Sequence, residues 1–417
     1  MRLTTNNIRL FLQKSRRAHR TAATAAAVLL MLICGCERRP ELHLLKIIPT
    51  TITITSLQLQ LDVAWDYSLI YGVDYECDTV WDYGWDDEDV RIFGPMGYEE
   101  PDIFNFRRYY TGSTPYAPHT NVIRNTIEGR EFTGYFDLGY WDLLVWNDIR
   151  TIDGVQSLIF DESSLDSVTA TTNQSMRVAR YQAPRFTHAF NQPEPIYTAY
   201  EQAIEINDDL SQYEYDEERN IYVKKLHMEL QPITYIYLTQ LIIYNNRGRV
   251  TSVEGNGDFS GMARTANLNE KRGGNDAITL YYYVRMKKNV PLKENRPIIQ
   301  GDNAAHKKGE IVDIVGGRVM TFGLCNTQPH AITASNYAQM IKDNQPHYID
   351  MDLNFNNGTD STFVFDVTDK VRHLFKGGII TLELDMDTVK IPSNGRRGSG
   401  FDAVVKDYEE ETYEIDM

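Results

Sequence analysis

Ile349-Asp350-Met351-Asp352-Leu353-Asn354-Phe355 is followed by Asn356-Asn357-Gly358-Thr359 and then by Thr362-Phe363-Val364-Phe365. In the first run the apolar residues fall on every second position, the period at which a strand turns side chains to one face. Asn-Gly between two such runs marks a tight turn that needs positive φ. The stretch therefore predicts a β-hairpin. A calcium-loop reading of Asp352, Asn354 and Asn356 fails on its own pattern: the sixth loop position is Asn357 rather than Gly, and the twelfth is Phe363 rather than Glu.

Working outward, the same texture recurs along the chain. Leu57-Gln58-Leu59-Gln60-Leu61-Asp62-Val63 alternates on odd numbers and Thr51-Ile52-Thr53-Ile54-Thr55 on even ones, so the parity flips at Ser56 and implies a bulge or break there. Leu226 to Leu230 and Tyr413 to Met417 alternate too. The continuous apolar runs Tyr235 to Tyr244 and Ile278 to Met286 read as central strands buried on both faces. Helices are few. One is predicted to start at Thr368 as N-cap, to run through Val371, Leu374 and Phe375, and to stop at Gly377-Gly378 before a strand over Ile379 to Leu384. Strands at regular spacing with hairpins and almost no helix predict an all-β fold of two tandem antiparallel β-sandwich domains. The polar, Pro-containing stretch from Ser163 to Pro195 reads as their linker, with domains over 36–190 and 191–417.

The chain has 417 residues, with 42 Lys+Arg against 58 Asp+Glu and a formal charge of −16. A 42% hydrophobic content suffices for a packed core, and the acidic balance argues against nucleic acid as a partner. The charge is uneven. Residues 1–36 hold no acid but carry Arg2, Arg9, Lys14, Arg16, Arg17 and Arg20, then an apolar run from Ala22 to Ile33, then Cys34-Gly35-Cys36. A basic segment, an apolar segment of about a dozen residues and a small residue before the cut describe a secretory signal peptide over 1–35. A signal-anchor helix and plain secretion with cleavage elsewhere are the alternatives. Ile33-Cys34-Gly35-Cys36 resembles a bacterial lipobox, with cleavage between Gly35 and Cys36 and diacylglycerol and palmitate on Cys36. Ile33 is too bulky to precede a lipidated Cys34, and Cys34 stands where such motifs usually carry Ala or Ser. Beyond residue 36, 36 basic and 58 acidic residues give −22, so a body of this charge would be held to a membrane by acyl chains rather than by attraction to anionic lipid. Cys77 and Cys325 lie 248 positions apart, with a disulfide and two buried thiols both open.

Four blocks carry a resemblance: Cys36-Glu37-Arg38-Arg39-Pro40; Gly139-Tyr140-Trp141-Asp142-Leu143-Leu144-Val145-Trp146-Asn147; Asn191-Gln192-Pro193-Glu194-Pro195-Ile196-Tyr197; and Gly400-Phe401-Asp402-Ala403-Val404-Val405-Lys406-Asp407-Tyr408. Together they resemble an uncharacterised family of Bacteroidales lipoproteins, similar in turn to fimbrillins and to the lipoproteins that anchor their fimbriae. The resemblance implies transthyretin-like sandwiches at the outer membrane, facing the periplasm or the outside. It also implies a structural or adhesive role with fimbrial subunits as partners, joined by strand addition. Thr51 to Trp65 and Thr412 to Met417 have the alternation of a donated strand, and also of an ordinary edge strand. Fimbrillins of this kind lose an N-terminal strand to an Arg-directed protease. Cutting at Arg38-Arg39 would sever the lipid, so a retained anchor implies a basal, anchoring or accessory subunit.

For chemistry there is no His-Glu-x-x-His, no Cys cluster, no Gly-x-Ser-x-Gly and no Walker loop, so neither catalysis nor a metal or other cofactor is expected. One constellation suits ligand binding. Trp81-Asp82-Tyr83-Gly84-Trp85-Asp86-Asp87-Glu88-Asp89 packs three aromatics and five acids into nine residues. Aromatic faces stack on sugar rings and carboxylates accept hydroxyl hydrogen bonds, so Trp81, Tyr83, Trp85, Asp86 and Asp87 are candidates for a surface glycan site. The same residues also suit a hairpin edge whose aromatics cover neighbouring strands and whose acids keep the edge soluble.

Overall fold

A computed structural model of the chain describes residues 56–65, 80–119, 121–149, 158–163, 167–178, 188–296, 306–325, 345–393 and 403–405. Cys36, Cys77, Thr51 to Thr55 and Thr412 to Met417 lie outside these residues, as does the parity flip ahead of Ser56. The described chain is all-β. Its strands fall into two layered bodies and one small linking sheet.

The first body uses β1 (Ser56–Trp65), β2 (Ile103–Gly112), β3 (Asn121–Glu128), β4 (Glu131–Asp137) and β5 (Gly139–Asn147). It also uses β10 (Tyr197–Ile206), β11 (Glu214–Asp216) and β12 (Ile221–Pro232), so strands from both sides of residue 190 build it. The order is β3-β2-β5-β10-β12-β1-β4, with β11 beside β12. β12 folds the sheet over on itself: its first ten residues pair with β1 and β11, and Gln231 and Pro232 pair with β10. A strand shared by two layers is how a single sheet becomes a sandwich. Across the interior the Phe106 and Phe132 rings lie 5.1 Å apart, and those of Phe136 and Trp141 5.0 Å apart. On the rim, buried Asp142 accepts from His119 (2.8 Å) and from the backbone N–H of Ala203 (2.8 Å). This pins the β10 bulge, where Ala203 takes φ +55°.

The second body uses β13 (Tyr235–Tyr244), β14 (Val250–Ala263), β17 (Ala277–Pro291), β18 (Ile311–Thr321), β19 (Tyr348–Phe355), β20 (Asp360–Asp366), β21 (Gly378–Asp385) and β22 (Ala403–Val405). Its order is β21-β13-β18-β17-β14-β19-β20-β22, and here the shared strand is β17. Residues up to Tyr283 pair with β14, and those from Val284 onward with β18. Tyr237, Leu241, Ile243, Leu382 and Leu384 from one layer meet Phe259, Leu280, Tyr282, Ile349, Met351, Leu353, Phe363 and Phe365 from the other, all buried. Each large side chain removed from water contributes about 1.5–3 kcal/mol, so this layer contact is the main stabilising term of the second body.

Most expected elements are present. β13 covers the run Tyr235 to Tyr244, and β19 and β20 are joined by the hairpin, with Gly358 at φ +79° and the Asn357 side chain accepting the Thr359 N–H at 3.0 Å. A short helix, Thr368–His373, precedes Gly377-Gly378 as expected, but Thr368 is its first residue rather than its cap. Asp366 Oδ1 accepts both the Thr368 N–H (3.0 Å) and its hydroxyl (2.5 Å), because an Asp two residues upstream reaches the exposed amide better than a hydroxyl on the helix itself. The antiparallel rule has several exceptions, among them β1 with β12, β13 with β21 and β20 with β22, which run parallel. The stretch expected as a linker contains structure too. β7 (Thr169–Thr172) pairs with β6 (Leu158–Asp161) and β15 (Thr265–Asn267), β16 (Arg272–Gly273) extends that sheet, and β8 (Gln174–Val178) and β9 (His188–Phe190) join the second body at β17. Val168 and Ala170 are buried there with Leu144 and Trp146 of the first body and Phe322 and Cys325 of the second. Small and β-branched residues among polar ones hide a strand from a composition-based reading.

Candidate functional site

The aromatic and acidic stretch is neither a hairpin nor an edge. Gly84, at φ +72°, turns the chain so that Trp81 Nε1 donates to its carbonyl at 2.9 Å. A helix over Asp87–Phe93 then begins with a reciprocal cap: Asp86 accepts the Asp89 N–H at 3.0 Å and Asp89 accepts the Asp86 N–H at 2.9 Å. The pattern is a capping box with Asp in place of Glu, and three acids in the first turn suit the positive end of the helix dipole.

The stretch lies on the outer face of β13 and β18. Along β13, Tyr237, Leu241 and Ile243 point into the core, while Ile236, Leu238, Ile242 and Tyr244 point outward and are covered. Trp81, Trp85, Met96 and Tyr98 pack on Ile236, Leu238 and Met320, and Tyr83, Trp85 and Phe93 pack on Ile242, Tyr244 and Ile314. Tyr83 is buried flat on Gly316, where a Cβ would come within 2.4 Å of its ring. A glycine inside a strand marks such a close approach. Gln240 fixes the backbone by accepting the N–H groups of Asp82 (3.0 Å) and Tyr83 (3.2 Å) and donating to the Val80 carbonyl (2.8 Å).

Four of the five acids are paired within the protein: exposed Glu88 with Arg91 one turn on, and Asp82, Asp86 and Asp89 with cations of the strand-rich body. Buried Asp82 accepts from Arg296 (2.5 Å) and from the Lys293 N–H (2.7 Å). Buried Asp89 accepts from the Tyr83 hydroxyl (2.8 Å), Arg285 (2.7 Å) and Lys287 (2.6 Å). Asp86 meets the same two cations at 2.8 and 3.0 Å. Arg285 and Lys287 are two apart on β17 and so share a face. Burial opposes ionisation of Asp86, but hydrogen bonds from Lys287, the Asp89 amide and Arg285 outweigh it and hold the carboxyl well below the usual range. Burial, and then Asp89, push the Tyr83 hydroxyl far above the ordinary tyrosine range.

Of the five candidate residues, Tyr83 is buried, Trp81 and Trp85 are half-buried, and Asp86 and Asp87 are exposed. Asp82, Asp89, Gln240, Arg285, Lys287, Arg296 and Gly316 complete the cluster and were not singled out from sequence. Gly316-Gly317 within a β-branched strand and the alternating Arg285 and Lys287 were the available signals. Among the described residues no three His, Cys, Asp or Glu side chains are grouped to hold a metal ion, and no helix is long and apolar enough to cross a membrane. Of the terminal strands, β1 has partners on both sides, Gln58 to Trp65 on β12 and Ser56 to Asp62 on β4, so it lies inside the sheet rather than at its edge. Gly35 and Cys36 lie outside the described residues.

No family model matches the chain, and no curated protein does. Solved structures do. A candidate adhesin from Bacteroides ovatus is 13% identical with a TM-score of 0.43, over 80% of this chain and 94% of that one. The fimbrial anchor protein Mfa2 from Porphyromonas gingivalis is 10% identical with a TM-score of 0.35, over 79% and 90%. The tip fimbrial protein Mfa3 from Porphyromonas gingivalis, truncated at its C-terminus, is 7% identical with a TM-score of 0.29, over 75% and 81%.

Proposed function

We propose that the chain is a fimbrillin-like structural or adhesive lipoprotein of the cell envelope, anchored to the outer membrane through Cys36, and that it serves as a basal, anchoring or accessory subunit of a fimbria. The observation that carries this reading is the leader: an acid-free basic segment and an apolar run ending in Gly35-Cys36, ahead of a body of charge −22 that needs acyl chains to stay at a membrane. The body supports a structural role. It is built of sheets, and the acids of its one aromatic and acidic cluster are largely taken up by its own Arg and Lys side chains.

β1 supports strand addition as the mode of assembly. It is a ten-residue extended segment bonded on both sides, and the backbone groups of β4 and β12 that hold it can equally hold a strand lent by another chain. The test is affinity capture of the tagged, full-length protein from envelope extracts of its host. Enrichment of fimbrial subunits is expected. Retention by soluble polysaccharide without such subunits would replace this reading with glycan binding, and shaft-length polymers of the purified chain alone would contradict the accessory role.

A further inference from the structure

We infer that residues 81–98 are a clasp, contributed by the N-terminal part of the chain and closed over the second sandwich, with Asp89 as its lock. β1 before the segment and β2 after it belong to the first sandwich, yet the segment itself covers β13 and β18 of the second. The Tyr98 hydroxyl donates to the Thr234 carbonyl at 2.7 Å at one end, and Arg296 grips Asp82 at the other. The clasp is separable from the core it covers. None of the buried residues between the two layers of the second sandwich comes from it, and its seven-residue helix is too short to persist without tertiary contacts.

The lock is unequal in its parts. Asp89 is fully buried and gathers Tyr83, Arg285 and Lys287, whereas Asp86, on the same two cations, has a side chain 47% exposed and is screened by water. Removing the Asp89 charge takes the buried carboxylate from Tyr83, Arg285 and Lys287 and leaves the two cations with the half-exposed carboxylate of Asp86. Asp86 does not make up the loss, because it already holds both cations and caps the helix, and its exposed carboxylate is screened by water. With the lock lost, the segment lifts while the layers beneath stay joined. Two of the five tryptophans, Trp81 and Trp85, ride on the clasp and the other three are in the first 146 residues, so the second sandwich carries no tryptophan except those the clasp brings to it.

The test is hydrogen exchange by mass spectrometry on the full chain, comparing wild type with Asp89→Asn, with Arg285→Ala as the milder variant should Asp89→Asn fail to fold, and with Asp87→Asn as control. Loss of one buried, charge-assisted contact predicts exchange about ten- to a hundredfold faster in peptides spanning 81–98. β14 and β19 should stay at wild-type rates, tryptophan emission should shift to the red, and Asp87→Asn, which removes only an exposed first-turn charge, should speed exchange by no more than about fivefold. Wild-type exchange across 81–98 in both lock variants would show that Asp89 is not the lock. Acceleration of β14 and β19 together with 81–98 would show that the segment is ordinary core and not a clasp.

Discussion

Gly316→Ala tests whether Tyr83 is seated on β18 as described. A Cβ at 316 would stand 2.4 Å from Cγ and Cδ2 of Tyr83 and 2.6 Å from Cδ1, where ordinary carbon contacts are about 3.5–4.0 Å. The ring must therefore withdraw by roughly 1 Å. It is poorly placed to do so: its hydroxyl is held by Asp89 at 2.8 Å, its backbone N–H by Gln240 at 3.2 Å, and Lys287 Nζ sits over the ring, 4.1 Å from its centroid. Overpacking at a site so tethered costs about 1–3 kcal/mol. Alanine in place of a strand glycine returns about 0.5–1 kcal/mol through backbone entropy. Gly255→Ala supplies that second term alone, since Gly255 is exposed in β14 and has nothing within 4 Å of its Cβ position. Urea denaturation of both variants should give unchanged m values and a gap in stability of about 1–3 kcal/mol, Gly316→Ala being the weaker. Equal midpoints for the two would refute the seating of Tyr83 on β18.

Asp82→Ala should destabilise by about 3–5 kcal/mol, because it removes the buried carboxylate that Arg296 holds at 2.5 Å, and Arg296→Met in the same chain should recover part of the loss; denaturant midpoints of the two variants check this. Glu383→Gln should stabilise at neutral pH. Burial raises the Glu383 carboxyl above its ordinary value, more than the Tyr244 hydrogen bond and nearby Arg296, Lys370 and His306 lower it. A folded value above the unfolded one means that the ionised form is penalised in the folded protein. The advantage of Gln should therefore be full above the folded value and vanish below about pH 4, as melting temperatures across that range will show. Gly358→Val should cost about 1–2 kcal/mol by forcing a β-branched residue to φ +79°, with the loss read in thermal unfolding.

What could be read from the residues alone was whatever is written locally. Tyr235 to Tyr244 is apolar at nearly every position because β13 faces the core on one side and the clasp on the other, and Asn357-Gly358 fixes a turn by its own backbone preference. The helix after Asp86 was also local, but its capping box uses Asp89 where Glu or Gln is the usual signal, and the surrounding acids and aromatics suited a solvated edge first and a ligand site second. What was not written locally is the company the acids keep. Arg285, Lys287 and Arg296 stand some 200 residues downstream, and only the fold brings them to Asp82, Asp86 and Asp89. The strands within Ser163 to Pro195 were hidden for a related reason. β7 is made of Thr and Ala, which pair well in a sheet between β6 and β15 but look like linker when those partners are unknown.

The central claim is that Cys36 carries the protein to a membrane. Metabolic labelling with an alkyne-tagged palmitate in the native host, followed by capture of the protein and membrane fractionation, tests it most directly. The account predicts a labelled protein in the outer-membrane fraction, label and membrane association both lost in Cys36→Ala, and both kept in Cys34→Ala. An unlabelled wild-type protein, or a Cys36→Ala protein that keeps its label and its place in the membrane, would contradict it.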